Sequence, residues 1–367
     1  MHQSSTKRRL ALGRTYLDWA ATAPLAPAAA EAMADAAARL ACGEWANPSS
    51  VHAPGRAARR AMEAARGRIA GFFRVPADSL LFTSGGTEAL VLALGNANGA
   101  AVAVMATEHN AVLGNARGAT VLPVDVDGRL EMDALAAFLA ANPGGLVAVQ
   151  DANNETGVVQ ASGAIAEAVH AAGGRLLCDA VQSAGKRPLP PADFVALSAH
   201  KLGGPAGVGA LVVRCRDGVG AMVRGSQEGG LRGGTENLIG VIGWAAALEA
   251  LPDGWLARCE GVQARLESVV LAEGGRVNGA GVERLPTISS VHLAGVAAST
   301  QLMRMDMAGI AVSQGAACSS GTMGPSATLL AMGAGEAARE SLRVSFGWGT
   351  TDGDVDRFID AWRGMRR

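Results

Sequence analysis

The sequence predicts an α/β protein with a mostly parallel central sheet, followed by a smaller α+β region. Three observations predict it. Short apolar runs alternate with alanine-rich helical stretches up to residue 250, the pattern of strand–helix units that build a parallel sheet. The pattern changes after residue 250, where a long helical stretch precedes short strands and a last helix. The length of 367 residues suits two cores, and a chain 49 % hydrophobic and 18 % charged can fill them. The expected division is a large domain over 15–250 and a small domain over 251–367, joined by the N-terminal segment 1–14.

The elements follow in order. "PAAAEAMADAAARLA" (27–41) and "GRAARRAMEAARGRIAGFF" (55–73) read as helices, because alanine has the best helix propensity and their apolar spacing is helical. An apolar strand begins "LLFTSGGTEALVLAL" (80–94) and runs into a helix. Further strands are expected over 101–106, 119–126, 145–150, 175–180, 193–199 and 209–213. Helices over 131–141 and 162–173 lie between some of them, and 254–275 opens the smaller region. In sheets of this type ligands bind at the carboxyl ends of the strands.

Several function classes drop out. The formal net charge of −1 argues against a nucleic-acid binder held by charge. The basic opening "MHQSSTKRRLALGR" lacks a long apolar core and a cleavage site, and no apolar run is long enough for a membrane helix. The expected location is the cytoplasm. Five cysteines at long spacings, with no CxxC, fit neither a disulfide framework nor a structural zinc site. The six histidines are scattered without ligand spacing.

The chemistry-bearing residues gather at predicted strand ends. Ser84-Gly85-Gly86-Thr87 precedes a helix whose free N–H groups suit an anion; an ordinary strand-to-helix turn reads the same. Asp179 follows "RLLC" (175–178), whose last three residues are apolar. A carboxylate there needs a partner, either a protonated ring nitrogen or the start of a helix that it caps. His109 follows a strand, as a catalyst or as a satisfied structural residue. Cys318 sits among small residues in "VSQGAACSSGT" (312–322), as a nucleophilic thiol or as a buried cysteine in a tight turn. Lys201, in "SAHKLGGPAGVGALVV" (198–213), stands between a histidine and a glycine run with little charge around it. A lysine, an aspartate and an anion cradle together match a cofactor with an aldehyde, a ring nitrogen and a phosphate, which is pyridoxal 5'-phosphate.

With these residues the chain resembles the pyridoxal-phosphate-dependent cysteine desulfurases of the NifS/IscS kind, in the class V aminotransferase family of fold type I. The resemblance runs from "YLDWAATAP" (16–24) to "LRVSFGWGTTDGDV" (342–355). In family order it passes through "NPSSVHAPG" (47–55), "FTSGGTEA" (82–89), "TEHNAV" (107–112), "NNETGVVQ" (153–160), "DAVQSAG" (179–185), "GSQEGGLRGGTEN" (225–237) and "GAACSSG" (315–321). It implies that Lys201 is the Schiff-base lysine and that Asp179 pairs with the pyridine nitrogen. Gln182 and Asn154 would lie near the ring hydroxyl, and His109 would stack on the ring. Gly86, Thr87, Ser198 and His200 would contact the phosphate. Thr235 would be supplied to the phosphate by a second subunit, which implies a homodimer with shared sites. Arg343 would bind the substrate carboxylate, for which a guanidinium fork suits, and Asn47 would border the substrate pocket. Cys318 would take sulfur from L-cysteine as a persulfide, leaving L-alanine. The persulfide would pass to an acceptor protein, in iron–sulfur cluster assembly or in thiolation of tRNA or cofactors.

The chain departs from the family at Trp19, where asparagine is common, and at Arg224 and Ser226, which replace glycines. Rival readings on the same fold are a selenocysteine lyase and an aminotransferase; the latter needs no thiol at position 318. A noncatalytic partner protein would be expected to have lost Lys201, Asp179 or Cys318.

Overall fold

The computed structural model describes residues 13–216, 219–221, 223–315 and 324–365. Strand β1 (Thr15–Tyr16) leads into helices α1 (Pro27–Ala41) and α2 (Ala53–Phe73). There follow β2 (Leu80–Thr83), α3 (Gly86–Gly95), β3 (Val102–Met105), β4 (Thr120–Leu122), α4 (Met132–Ala141), β5 (Leu146–Gln150), α5 (Ser162–Ala171), β6 (Arg175–Asp179), β7 (Phe194–Ser198) and β8 (Gly209–Val213). The rest of the chain forms α6 (Leu238–Glu249), α7 (Trp255–Ala272), β9 (Arg276–Val277), β10 (Ile288–His292), α8 (Ala298–Met307), β11 (Ile310–Ala311), β12 (Ser341–Ser345) and α9 (Asp352–Gly364). Shorter helical turns are named by their residues. No helix among the described residues is long and apolar enough to cross a membrane.

Seven strands form the central sheet in the order β2-β8-β7-β6-β5-β3-β4. Neighbours from β4 to β7 are parallel, and only β8 is reversed, antiparallel to both β2 and β7. Both faces are covered, which is why the strands are apolar on both sides. Val147, Val149, Val195 and Leu197 face one hydrophobic cluster, with Met62, Ile69 and Trp244. Leu146, Ala148, Phe194 and Ala196 face the other, with Leu90 and Leu94 of α3. This alternation is the two-residue period of a strand. The expected strand over 119–126 stops at Leu122, because beyond it the chain turns to pair with the residues before α4: the Pro123 carbonyl accepts the Glu131 N–H at 3.1 Å and Val124 bridges Leu130.

Local signals explain the helix ends. Pro27 opens α1 at a position where its missing N–H costs nothing. The His52 side chain accepts the Gly55 N–H at the start of α2, and Arg74 ends that helix in the left-handed conformation. α6 is apolar on nearly every side and packs against both α1 and α2.

A second, antiparallel sheet has the order β12-β10-β9, and β1 pairs in parallel with β11. Leu17, next to β1, is buried in a cluster with Leu266, Val291, Val344, Phe358 and Trp362. Residues 15–17 are thereby tied to the last third of the chain. Trp19 is buried here, edge-on to Trp348 at 4.8 Å, and its indole N–H donates to the Tyr16 carbonyl at 3.1 Å. Gly347 makes room for it: a Cβ there would lie 2.0 Å from the Trp19 ring. The departure from the usual asparagine at position 19 is thus absorbed by core packing.

Candidate active site

The strands β2, β3, β5, β6 and β7 end at one edge of the sheet, and a cavity of about 280 Å³ opens there. Ten of the residues singled out in the sequence line it: Gly86, Thr87, His109, Asn154, Asp179, Gln182, Ser198, His200, Lys201 and Arg343. Asn47 does not; it is exposed, and its side-chain oxygen accepts the Ser49 N–H at 2.9 Å. Thr235 is exposed and also lies outside this cavity. Cys318 lies outside the described residues.

Lys201 ends a single 3-10 turn, Ala199–Lys201, where β7 reverses into antiparallel β8. The turn needs Gly203, whose φ is 78° and whose added Cβ would lie 2.7 Å from the Trp348 ring. The Lys201 Nζ donates to the carbonyls of Ala20 at 2.7 Å and Ala21 at 2.9 Å. Those carbonyls belong to the segment that follows β1. Sequence reasoning missed them, since a backbone carbonyl leaves no mark on residue identity.

Asp179 is the last residue of β6, and its side chain accepts the Val181 N–H at 2.9 Å. It caps no helix. Burial raises its pKa, and the Val181 N–H, His109 and Lys201 only partly oppose this. A cation in the cavity would relieve that penalty. Gln182 donates from Nε2 to the Ala20 carbonyl at 2.9 Å, while its buried Oε1 has no hydrogen-bond partner among the described residues.

His109 both lines the cavity and has a structural task. Its Nδ1 accepts the Ala111 N–H at 3.0 Å, capping the short helix Asn110–Leu113. Its neighbour Glu108 was not singled out in the sequence. Glu108 is buried and does not itself line the cavity; its Oε1 accepts the Gln150 N–H and its Oε2 has no hydrogen-bond partner among the described residues. Gln150 is in register with Asp179 across β5 and β6. Burial first, and the nearby Asp179 second, hold the Glu108 carboxyl well above the usual range. The folded chain therefore keeps a proton that the unfolded chain releases near pH ~4.3. The unfolded state binds fewer protons above that pH, so this group lowers stability as pH rises through its folded pKa. Glu108→Gln is expected to flatten that slope. Thermal unfolding of the cofactor-free protein should show its Tm a few degrees above wild type near pH ~8, with the gap closing toward pH ~4. A constant gap at both values would refute the protonated state.

The anion end of the cavity is built by α3. Its N-terminal N–H groups have no intrahelical partner. Gly86 is pressed close, since an added Cβ would lie 2.6 Å from Val181. Glu88 in the first turn would repel an anion, but Arg232 pairs with it at 2.8 Å and the Ser84 N–H donates to it at 2.5 Å. His200 bonds Thr22 at 2.6 Å, and burial first and Lys201 second push its pKa down to about 4, so it is neutral at pH 7.

Arg343, central in β12, is 3 % exposed. Its Nη2 donates to Asp18 Oδ1 at 2.8 Å, its Nη1 to the Asn154 carbonyl at 3.1 Å, and its buried Nε has no hydrogen-bond partner among the described residues. Glu155 is a second residue the sequence reading passed over. It is buried, accepts the Ser326 hydroxyl at 2.5 Å, and lies against Gly315, so it touches both sides of the 316–323 segment. Burial raises its pKa against Ser326 and Arg343. No group of three or more metal-ligating side chains occurs among the described residues.

The family model for aminotransferase class V matches residues 15–358. The chain belongs to the class V aminotransferase family. Among curated relatives of this class V protein, a cysteine desulfurase from Cereibacter sphaeroides is 40 % identical over 369 residues, covering 95 % of this chain and 94 % of the relative. Among solved structures, a NifS-like protein from Rickettsia africae superposes with a TM-score of 0.87 at 28 % identity, covering 96 % of this chain and 99 % of that one. A second, SspA in complex with cysteine, has a TM-score of 0.78 at 26 % identity, covering 90 % of this chain and 98 % of that one. The family match and the fold agree with the α/β class expected from the sequence.

Proposed function

We propose that this protein is a cysteine desulfurase that uses pyridoxal 5'-phosphate. The observation that carries the reading is one cavity in which Lys201 Nζ, the buried Asp179 carboxylate and the N-terminus of α3 meet. These three suit an aldehyde, a pyridinium nitrogen and a phosphate, and the unpartnered Gln182 Oε1 offers an acceptor for a ring hydroxyl. The near full-length likeness to relatives named cysteine desulfurases supports the choice of reaction.

When bound, the cofactor supplies an aldehyde for the substrate amine and a ring that accepts the electron pair released at the α carbon. The protein does the rest. Asp179 holds the ring-nitrogen proton, because its buried charge needs a cation. Thr87, Ser198, neutral His200 and the α3 N–H groups bind phosphate. Arg343 binds the carboxylate of L-cysteine. Lys201 and His109 are the groups on the cavity wall that can hold the α proton. The Cys318 thiolate attacks the substrate sulfur: an S–S bond forms, the C–S bond breaks with its electron pair going to carbon, and protonation there gives L-alanine. The persulfide then passes to an acceptor protein in the cytoplasm, for iron–sulfur cluster assembly or thiolation. The site works in a homodimer, with Thr235 of each chain serving the other; its exposure outside its own cavity fits that role.

Adding L-cysteine to the cofactor-loaded protein is expected to yield alanine and, on the peptide containing Cys318, a persulfide in equal amount. Alanine without that persulfide would overturn the transfer step and favour a lyase. Failure of L-cysteine, with turnover of selenocysteine, would favour the selenocysteine lyase.

A further inference from the structure

We infer that Asp18 is the positioning residue for substrate-carboxylate recognition, acting through Arg343; this rests on the reading of Arg343 given above. Arg343 is the one arginine among the described residues that line the cavity. A long guanidinium side chain has many rotamers, and a carboxylate is recognised well only when the fork is held still. Asp18 Oδ1 takes Nη2 at 2.8 Å and the Asn154 carbonyl takes Nη1 at 3.1 Å. Asp18 itself does not line the cavity, so it grips the guanidinium without competing for space with a ligand. The buried Nε donor has no hydrogen-bond partner among the described residues.

The placement of Asp18 adds a second function to the same grip. It lies on the short strap between β1 and α1, where Ala20 and Ala21 hold the Lys201 amine with their carbonyls. The Ala20 N–H donates to Ser345 Oγ at 2.9 Å, two residues beyond Arg343 in β12. The strap therefore touches both cations on the cavity wall, the amine with its backbone and the guanidinium with the Asp18 carboxylate. The separation between Lys201 and Arg343 sets where an amino acid's amine and carboxylate can sit together. Asp18 holds one end of that ruler.

The test compares Asp18→Ala, Asp18→Asn, Arg343→Ala and the double variant Asp18→Ala/Arg343→Ala in the cofactor-loaded protein. Spectral titration measures the Kd of L-alanine and of cysteamine, which is cysteine without its carboxylate, alongside kcat and KM for L-cysteine. Loss of a charged hydrogen bond is expected to weaken L-alanine binding and raise KM about tenfold or more in Asp18→Ala. The kcat value should change little and cysteamine binding not at all. Asp18→Asn, which keeps an oxygen acceptor but loses the charge, should show a smaller loss in the same direction, confined to L-alanine, and reads the inference should the alanine variant not fold. In the Arg343→Ala background, Asp18→Ala should have no further effect. Equal weakening of L-alanine and cysteamine would reduce Asp18 to a structural role for the strap. An unchanged L-alanine Kd in Asp18→Ala, with a raised one in Arg343→Ala, would overturn the inference and leave Arg343's role intact. An unchanged Kd in Arg343→Ala would remove the Arg343 reading itself.

Discussion

Lys201→Ala is expected to lower turnover of L-cysteine by at least about a thousandfold and to remove the covalent hold on the cofactor. The amine is the group that bonds the cofactor aldehyde, and no other described side chain on the cavity wall carries one. Borohydride reduction followed by peptide mapping reads the linkage directly: wild type should be labelled at Lys201 and the variant nowhere. The chain has three lysines, so the rival site is easily named. Lys186 is half-buried, and burial first, then Lys201 and Arg343, push its pKa down to about 7, which makes its amine a capable nucleophile. Yet Lys186 lines a different cavity, beside Phe73, Arg187 and Arg214. A reducible link at Lys186 in the wild-type protein would sink the assignment of Lys201.

Cys318→Ser should be comparably damaging, and selective. The variant is expected to bind cofactor and L-cysteine normally while persulfide formation and sulfide release fall by about a thousandfold or more. The other thiols are poorly placed to replace it. Cys178 is buried in β6, and burial holds its thiol well above the ordinary range. Burial likewise pushes Cys259 up to about 11. Cys42 and Cys215 are exposed but do not line the cavity. A serine variant that releases sulfide at the wild-type rate would move the nucleophile away from Cys318.

Much of the fold is legible in the sequence because its signals are local. The alternation in "LVAVQ" and "FVALS" is the sheet's two-sided burial written residue by residue, and Pro27 marks the start of α1. The strand that ends early, at Leu122, does so because residues 123–125 pair with 129–131 instead, a choice that a count of apolar residues overlooks. Most of the site residues lie at or just past strand ends, and the cavity gathers ten of those singled out in the sequence. The partners that set their behaviour are less visible. Glu108 stands next to His109 in sequence and looks like an ordinary surface charge until the packing buries it beside Asp179. Asp18 is separated from Arg343 by 325 positions, and Glu155 from Ser326 by 171.

The sequence by itself determined the α/β class, the order of the elements and the kinds of chemistry available, because helix and strand periodicity and strand-end motifs are set by near neighbours. Only the tertiary structure decided which of those groups share one cavity, that Asn47 and Thr235 stand outside it, and which carboxyls have their pKa raised by burial. Those outcomes depend on desolvation and on charges brought together from distant parts of the chain, and such energies exist only once the chain has packed.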